Sequence, residues 1–268
     1  MLTVERRKGT CNMWNHSDFF QQHGYAVVPA DDITALHQLR QKIFDVAKRI
    51  FDYPKDDVEN FFNNFHNLDI TGARLNELRM KLIREVTDSV DSGTLIFKAF
   101  RSTILELLGP DLLVQKNTNL VIQQPNDPNP SELHRDAPAN SPFEVVVWLP
   151  LVDTYKTKAM YVLDRKATKE ALAILDGEGE RYGEFESHCK STAPAVEVPY
   201  GSALFFWTAL LHGSHVNQEN ETRWTLNMRY KNLFSPNGDK EPFEFFKIFQ
   251  LSPLTAMATD FLKSKDLG

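Results

Sequence analysis

Residues 201–230, GSALFFWTALLHGSHVNQENETRWTLNMRY, carry the reading from which the fold follows. GSALFFWTALL and TRWTLNMRYKN read as two strands, joined by a polar segment that begins at His212. Side chains on a strand alternate between its faces. If Arg223 points inward, then Thr225, Asn227 and Arg229 share its face. The alternative is that the strand leaves the core after Thr225 and exposes the last two.

Working outward, LVQKNTNLVIQQP, FEVVVWLPLVD, KAMYVLD and AVEVP are further strand candidates, with a Pro- and Asn-rich loop at 125–130. ATKEALAILD at 167–176 has helical character and precedes a Gly- and Glu-rich loop. The first half differs. Ser17 is placed to cap a helix, SDFFQQH, that Gly24 ends, and YAVVP reads as a strand. Asp31, Asp32 or Thr34 is placed to cap the next helix. Its apolar positions Leu36, Leu39, Ile43, Phe44, Ala47 and Ile50 keep a 3.6-residue period. Residues 55–108 read as two or three helices, stopped at Gly109-Pro110. The tail from 241, FEFFKIF and TAMATDFLKSK, reads as helical. Its aromatics Phe243, Phe245, Phe246 and Phe249 suit packing on the outside of the core, or else a lid or a homodimer contact. The order predicts an α+β architecture in one domain, 1–268. Its parts are a helical N-terminal part at about 17–110, a β core at about 112–232 and a helical tail at about 241–268.

The 268 residues are 42% apolar and 11% aromatic, enough for a packed core and unlike a disordered chain. Net charge is −6 and no long basic block occurs, which argues against nucleic acid as a partner. RRK at 6–8 reads as a solvated tail. Two cysteines, Cys11 and Cys189, form no metal or disulfide pattern and suggest a reducing, cytoplasmic setting. The first residues lack the apolar run of a signal peptide, and nothing approaches 18 apolar residues in a row.

Candidate chemistry centres on Glu132-Leu133-His134-Arg135-Asp136. On a strand, His134 and Asp136 point the same way, and His212 is the candidate third ligand, preferred over His215. Two histidines and a carboxylate on one face of an ion form the facial triad of non-haem Fe(II) oxygenases, leaving positions open. Arg223 follows His212 by eleven residues. A buried guanidinium needs an anion, and it can grip a carboxylate with two donors. Ser214 sits two residues after His212, where its hydroxyl could join the same carboxylate. A surface pair between Arg223 and Glu219 or Glu221 is the plainer alternative.

Taken in order, DFFQQHGYAVVP, Gln124-Pro125, His134-Arg135-Asp136, VVVWLPLVD and GSALFFWTALLHGSHVNQENETRW resemble the phytanoyl-CoA hydroxylase-like family of Fe(II)- and 2-oxoglutarate-dependent dioxygenases. The resemblance covers roughly 17–50 and 115–230. It implies a double-stranded β-helix, a cupin-like jelly-roll. It implies Fe(II) on His134, Asp136 and His212, with 2-oxoglutarate and O2 as co-substrates. Arg223 and Ser214 would hold the 2-oxoglutarate carboxylate. Trp148 stands where the family often has an aromatic beside the co-substrate, though it also suits the core. Gln124 is a weaker co-substrate candidate, since it equally suits solvent at a strand end. Asp136 argues for hydroxylation rather than halogenation.

TYKTKAMYVLDRKAT departs from the family in the region that shapes the substrate pocket. RYKNLFSPNGDKEPFEFF is similar to a bacterial carbohydrate-cluster subgroup, which implies a sugar or sugar-linked substrate. The expected reaction hydroxylates a C–H of a small polar metabolite and releases succinate and CO2. Thr225, Asn227 and Arg229 are candidate substrate contacts. Tyr161 is another, suited to stacking on a sugar or to the core. Two alternatives stand beside this reading: an amino-acid or secondary-metabolite hydroxylase of the same family, and a cupin-like metal-binding protein without oxygenase activity.

Overall fold

A computed structural model describes residues 16–263, apart from 71, 138, 179–181 and 240. RRK at 6–8, Cys11 and the end of the tail lie outside the described residues. Helix α1 (His16–His23) leads into strand β1 (Tyr25–Pro29) and helix α2 (Ile33–Ile50). Ser17 lies inside α1 rather than before it. The Asp32 side chain accepts from the Thr34 and Ala35 amides, satisfying two of the free donors that open α2. All six apolar positions expected on one face of α2 are buried. Helices α3 (Val58–Asn63), α4 (Gly72–Ser89), α5 (Ser92–Ala99) and α6 (Arg101–Leu108) follow. Phe100 leaves helical geometry between the last two, so one expected helix is two. Gly109 ends α6 at a φ of 74°, a backbone shape that glycine adopts without strain.

The β core then begins with β2 (Leu112–Gln115), β3 (Asn119–Gln123), β4 (Glu144–Pro150) and β5 (Met160–Val162). Helices α7 (Arg165–Glu178) and α8 (Tyr182–Thr192) interrupt it, and α8 occupies most of what reads in sequence as a Gly- and Glu-rich loop. The core resumes with β6 (Ala195–Val196), β7 (Ser202–Trp207), β8 (His212–Ser214) and β9 (Arg223–Asn232). The tail is not wholly helical. One turn, α9 (Pro242–Phe245), gives way to strand β10 (Phe246–Gln250), and only then does α10 (Pro253–Lys263) follow.

The larger sheet has the order β1-β7-β4-β9-β2-β10, with β3 also paired to β9, and the smaller has the order β6-β5-β8. Together they form a jelly-roll. Alternation assigns the faces of the large sheet. Val146 and Trp148 of β4 and Leu204 and Phe206 of β7 pack toward Met160, Val162 and Val196 of the small sheet. Val145, Val147, Leu149, Ala203 and Phe205 face outward, into one continuous cluster with α2, α5 and the aromatics of α3. With both faces covered, β4 is apolar and buried almost throughout. Pairing of β10 with β2 explains the tail aromatics. Phe246 is buried opposite Gln115, and Phe249 packs edge-on to Phe97 at 5.0 Å, while Phe243 is exposed. Among the described residues no helix is long and apolar enough to cross a membrane.

Candidate metal centre and co-substrate pocket

His134 and His212 come from distant parts of the chain and face each other across one rung of antiparallel backbone. Each amide donates to the other's carbonyl at 3.0 Å. Their side chains therefore project from the same face, and their ring centroids are 4.2 Å apart. Only His134 makes this bridge. Asp136 lies in the bend that follows rather than on a continuing strand, as its position in the sequence had suggested. The bend still turns Asp136 to the same point. Its Oδ1 is 3.9 Å from His134 Nε2, and the donor atoms of His134, Asp136 and His212 all lie within 4.8 Å of one another.

The tautomers follow from the backbone. His134 Nδ1 lies 2.8 Å from the Glu132 carbonyl, and His212 Nδ1 lies 2.9 Å from the Leu210 carbonyl. A carbonyl only accepts, so each Nδ1 carries the proton and each Nε2 lone pair is left for an ion. Burial, and then the neighbouring His134, push the His212 pKa down to about 4, so His212 is neutral, the ligating form, at neutral pH. The His134 side chain is 44% exposed and Asp136 13% exposed, which leaves the cluster open on one side. His215 lies outside the cluster, with its ring 4.9 Å from that of Tyr161.

Strand β9 runs inward along its full length. Arg223, Thr225, Asn227 and Arg229 line one cavity of about 180 Å3 with the three candidate ligands, so the alternative in which the strand leaves the core does not hold. Arg223 is buried. Its Nη1 and Nη2 both reach Ser214 Oγ at 3.1 Å, Nη1 lies 3.5 Å from the Lys158 carbonyl, and Nε has no partner among the described residues. The glutamates weighed as its surface partners are engaged elsewhere. Glu221 pairs with Lys158 at 2.7 Å, and Glu219 accepts from Thr157. Burial lowers the Arg223 pKa to about 10, so it stays cationic at neutral pH. A cation in this setting, with only neutral oxygens beside it, is costly until an anion joins it. The donor set suits a carboxylate.

Trp148 lines the cavity, with its ring centroid 5.9 Å from Arg223 Cζ, and also belongs to the core between the sheets. Two expected contacts stand elsewhere. Gln124 follows the end of β3 and does not line the cavity. Its neighbour Gln123 is the residue opposite Arg223, and its Nε2 donates to the His215 carbonyl at 2.8 Å. Tyr161 faces away from the cavity, into a separate cluster with Leu133, Leu163 and Leu211, while Met160 beside it faces in. Alternation along β3 and β5 is the signal that separates each pair. Arg229 does reach the cavity, but its Nη2 binds Asp136 Oδ2 at 2.9 Å. Asn119, opposite Asn227, and Gln115, 3.4 Å from Arg229 Nη1, were not singled out in the sequence.

This fold and this donor set define the class of non-haem iron, 2-oxoglutarate-dependent oxygenases. The chain belongs to the phytanoyl-CoA dioxygenase (PhyH) family, whose model matches residues 20–224. No curated protein matches it in sequence. Among solved structures it is similar to a non-heme monooxygenase in a ThoJ–nickel complex, at 18% identity over 92% of this chain and 94% of that one, with a TM-score of 0.51. It is also similar to the non-heme α-ketoglutarate-dependent carbocyclase SnoK from nogalamycin biosynthesis, at 16% identity over 89% and 97%, with a TM-score of 0.53. At such identities these likenesses establish the shared fold. The protein is thus an enzyme of this family, with Fe(II), 2-oxoglutarate and O2 as its cofactor and co-substrates.

Proposed function

We propose that the enzyme hydroxylates a C–H bond of a small polar metabolite, a sugar or sugar-linked molecule being favoured, with release of succinate and CO2. In this reading His134, Asp136 and His212 hold Fe(II), and Arg223 with Ser214 holds the distal carboxylate of 2-oxoglutarate. The observation that carries it is Arg223, a buried cation with no carboxylate partner among the described residues, on the wall of the cavity that contains the three candidate ligands. When bound, the iron and 2-oxoglutarate supply the oxidising chemistry, coupled to decarboxylation of the keto acid.

The chain's own residues orient and shield. The backbone carbonyls behind both histidines aim Nε2 at the ion. Trp148, Met160 and Phe206 give the cavity dry walls, which exclude water from the reacting centre. The part of the lining that β9 supplies, beside Trp148 in the same sheet, is polar. Thr225 Oγ1 and Asn227 Oδ1 are buried without a partner, and Asn119 stands beside them. Unfilled hydrogen-bonding groups fit a hydroxylated substrate better than a lipid chain, because a lipid would leave them unsatisfied.

The test is an anaerobic titration of Fe(II)-loaded enzyme with 2-oxoglutarate, following the visible charge-transfer band of the chelate. A band that vanishes in His134→Ala and needs far more 2-oxoglutarate in Arg223→Met supports the cofactor assignment. Succinate release screened against sugars, nucleotide sugars and amino acids then identifies the substrate class. No band in folded, metal-replete enzyme sinks the site assignment, and stimulation by amino acids alone overturns the sugar preference.

A further inference from the structure

We infer that Arg229 is a positioning residue that holds the second oxygen of Asp136, so that this carboxylate gives the metal one oxygen only. The inference rests on the proposal that His134, Asp136 and His212 are the ligands. The two oxygens of Asp136 have different surroundings. Oδ1 is the one turned toward His134 Nε2, whereas Oδ2 accepts from Arg229 Nη2 at 2.9 Å. The two side chains are 11% and 13% exposed, so solvent screens the pair little. A carboxylate with both oxygens free can chelate an ion through both. It would then take a position that a chelating keto acid and oxygen require. A charge-assisted bond to one oxygen removes that option and fixes the carboxylate plane.

Arg229 is itself braced. Its Nη1 lies 3.4 Å from Gln115 Oε1, and Gln115 Nε2 donates to the Asn117 carbonyl at 2.6 Å, which orients that amide. The Phe245 ring centre lies 5.9 Å from Arg229 Cζ. Strand β2 and the turn before β10 therefore support the ligand from behind. The two arginines of β9 divide their work along one face. Arg223 has no carboxylate and is left for an anion from solution, while Arg229 is already committed to an anion of the protein.

The experiment is a Co(II) titration of the whole chain in competition with a chromophoric chelator, with the cobalt visible spectrum recorded for each variant. Loss of a residue that orients a metal ligand weakens metal binding by about 10- to 100-fold. Arg229→Met, folded by circular dichroism, is expected to show such a loss together with a changed cobalt spectrum. Arg229→Lys, which keeps a cation, is expected to recover part of both. Gln115→Leu is expected to weaken binding by roughly threefold, since it acts one step further out. Tyr230→Phe, on the other face of β9, touches no ligand and is expected to leave cobalt affinity as in wild type. Unchanged affinity and spectrum in folded Arg229→Met overturn the inference. If that variant does not fold, unchanged values in Arg229→Lys and Gln115→Leu overturn it instead. A folded wild type that binds no cobalt rejects the ligand triad itself and this inference with it, so the two failures are told apart by the first titration.

Discussion

The two faces of β9 are both buried, yet they have been given opposite tasks. On one face Trp224, Leu226, Met228 and Tyr230 join the core against the helices. Trp224 meets Phe61, Phe62 and Phe65 with ring centroids 5.0–5.7 Å apart. On the other face Arg223, Thr225, Asn227 and Arg229 line the cavity, and several of their polar atoms have no partner among the described residues. Low exposure alone would class seven of the eight as core, Asn227 being half-buried. What separates them is how much polar capacity is left over among the described residues. The apolar face leaves Trp224 Nε1 alone without a partner, whereas the polar face leaves Arg223 Nε, Thr225 Oγ1, Asn227 Oδ1 and Arg229 Nε.

Substitutions on the two faces should therefore separate stability from ligand binding. The largest effect is expected from Trp224→Ala, which empties an aromatic cluster and should lower unfolding free energy by about 3–5 kcal/mol in urea denaturation. The metal affinity of the molecules that stay folded should be untouched. Arg223→Met should do the reverse. Calorimetric binding of 2-oxoglutarate to the metal-loaded protein should weaken by about a hundredfold or more. The ligand-free protein should become more stable by about 1–3 kcal/mol, because an uncompensated buried charge has gone. A destabilised Arg223→Met with normal 2-oxoglutarate affinity would mean that the polar face is structural after all.

Tyr230→Phe tests the apolar face more gently. The Tyr230 hydroxyl donates to the Gly93 carbonyl at 2.6 Å, and its loss should cost about 1–2 kcal/mol with no change in ligand affinity. The smallest effect is expected from Thr225→Val. With Oγ1 buried and unpartnered, replacement by a methyl should change stability by about 0–1 kcal/mol, in the stabilising direction, on a thermal melt. Once a substrate is found, the same variant should raise its KM.

Much of this division was legible in the sequence, because strand alternation is a strict rule. It offered Arg223, Thr225, Asn227 and Arg229 one shared face while leaving open that the last two are exposed, and it paired His134 with Asp136 in direction even though Asp136 turned out to sit in a bend. The failures arose where one residue of register decides the outcome. Gln123 and Gln124 are chemically identical neighbours, and the point where β3 ends settles which one faces Arg223. Tyr161 and Met160 exchange roles for the same reason. The Asp136–Arg229 contact was invisible because it joins distant segments by a geometry that no spacing rule encodes. FEFFKIF reads as helical from its aromatics, but it is drawn into a strand by the open edge of β2, a tertiary demand that overrides local preference. Helix α8 was missed because glycine and glutamate look like loop when its packing partners, Leu133 and Leu163 among them, are not known to be near.

The rung of backbone between His134 and His212 has a further consequence. Reciprocal amide hydrogen bonds join these two donors through the backbone, and their tautomers are set by carbonyls of their own segments. If these donors hold the iron, as proposed, the metal should arrive at a socket rather than act as a rivet, and iron-stripped protein should keep its circular dichroism spectrum. A chain whose scaffold does not depend on its ion can lose iron to a chelator or to oxidation and be recharged without refolding, unlike small zinc modules that collapse when stripped.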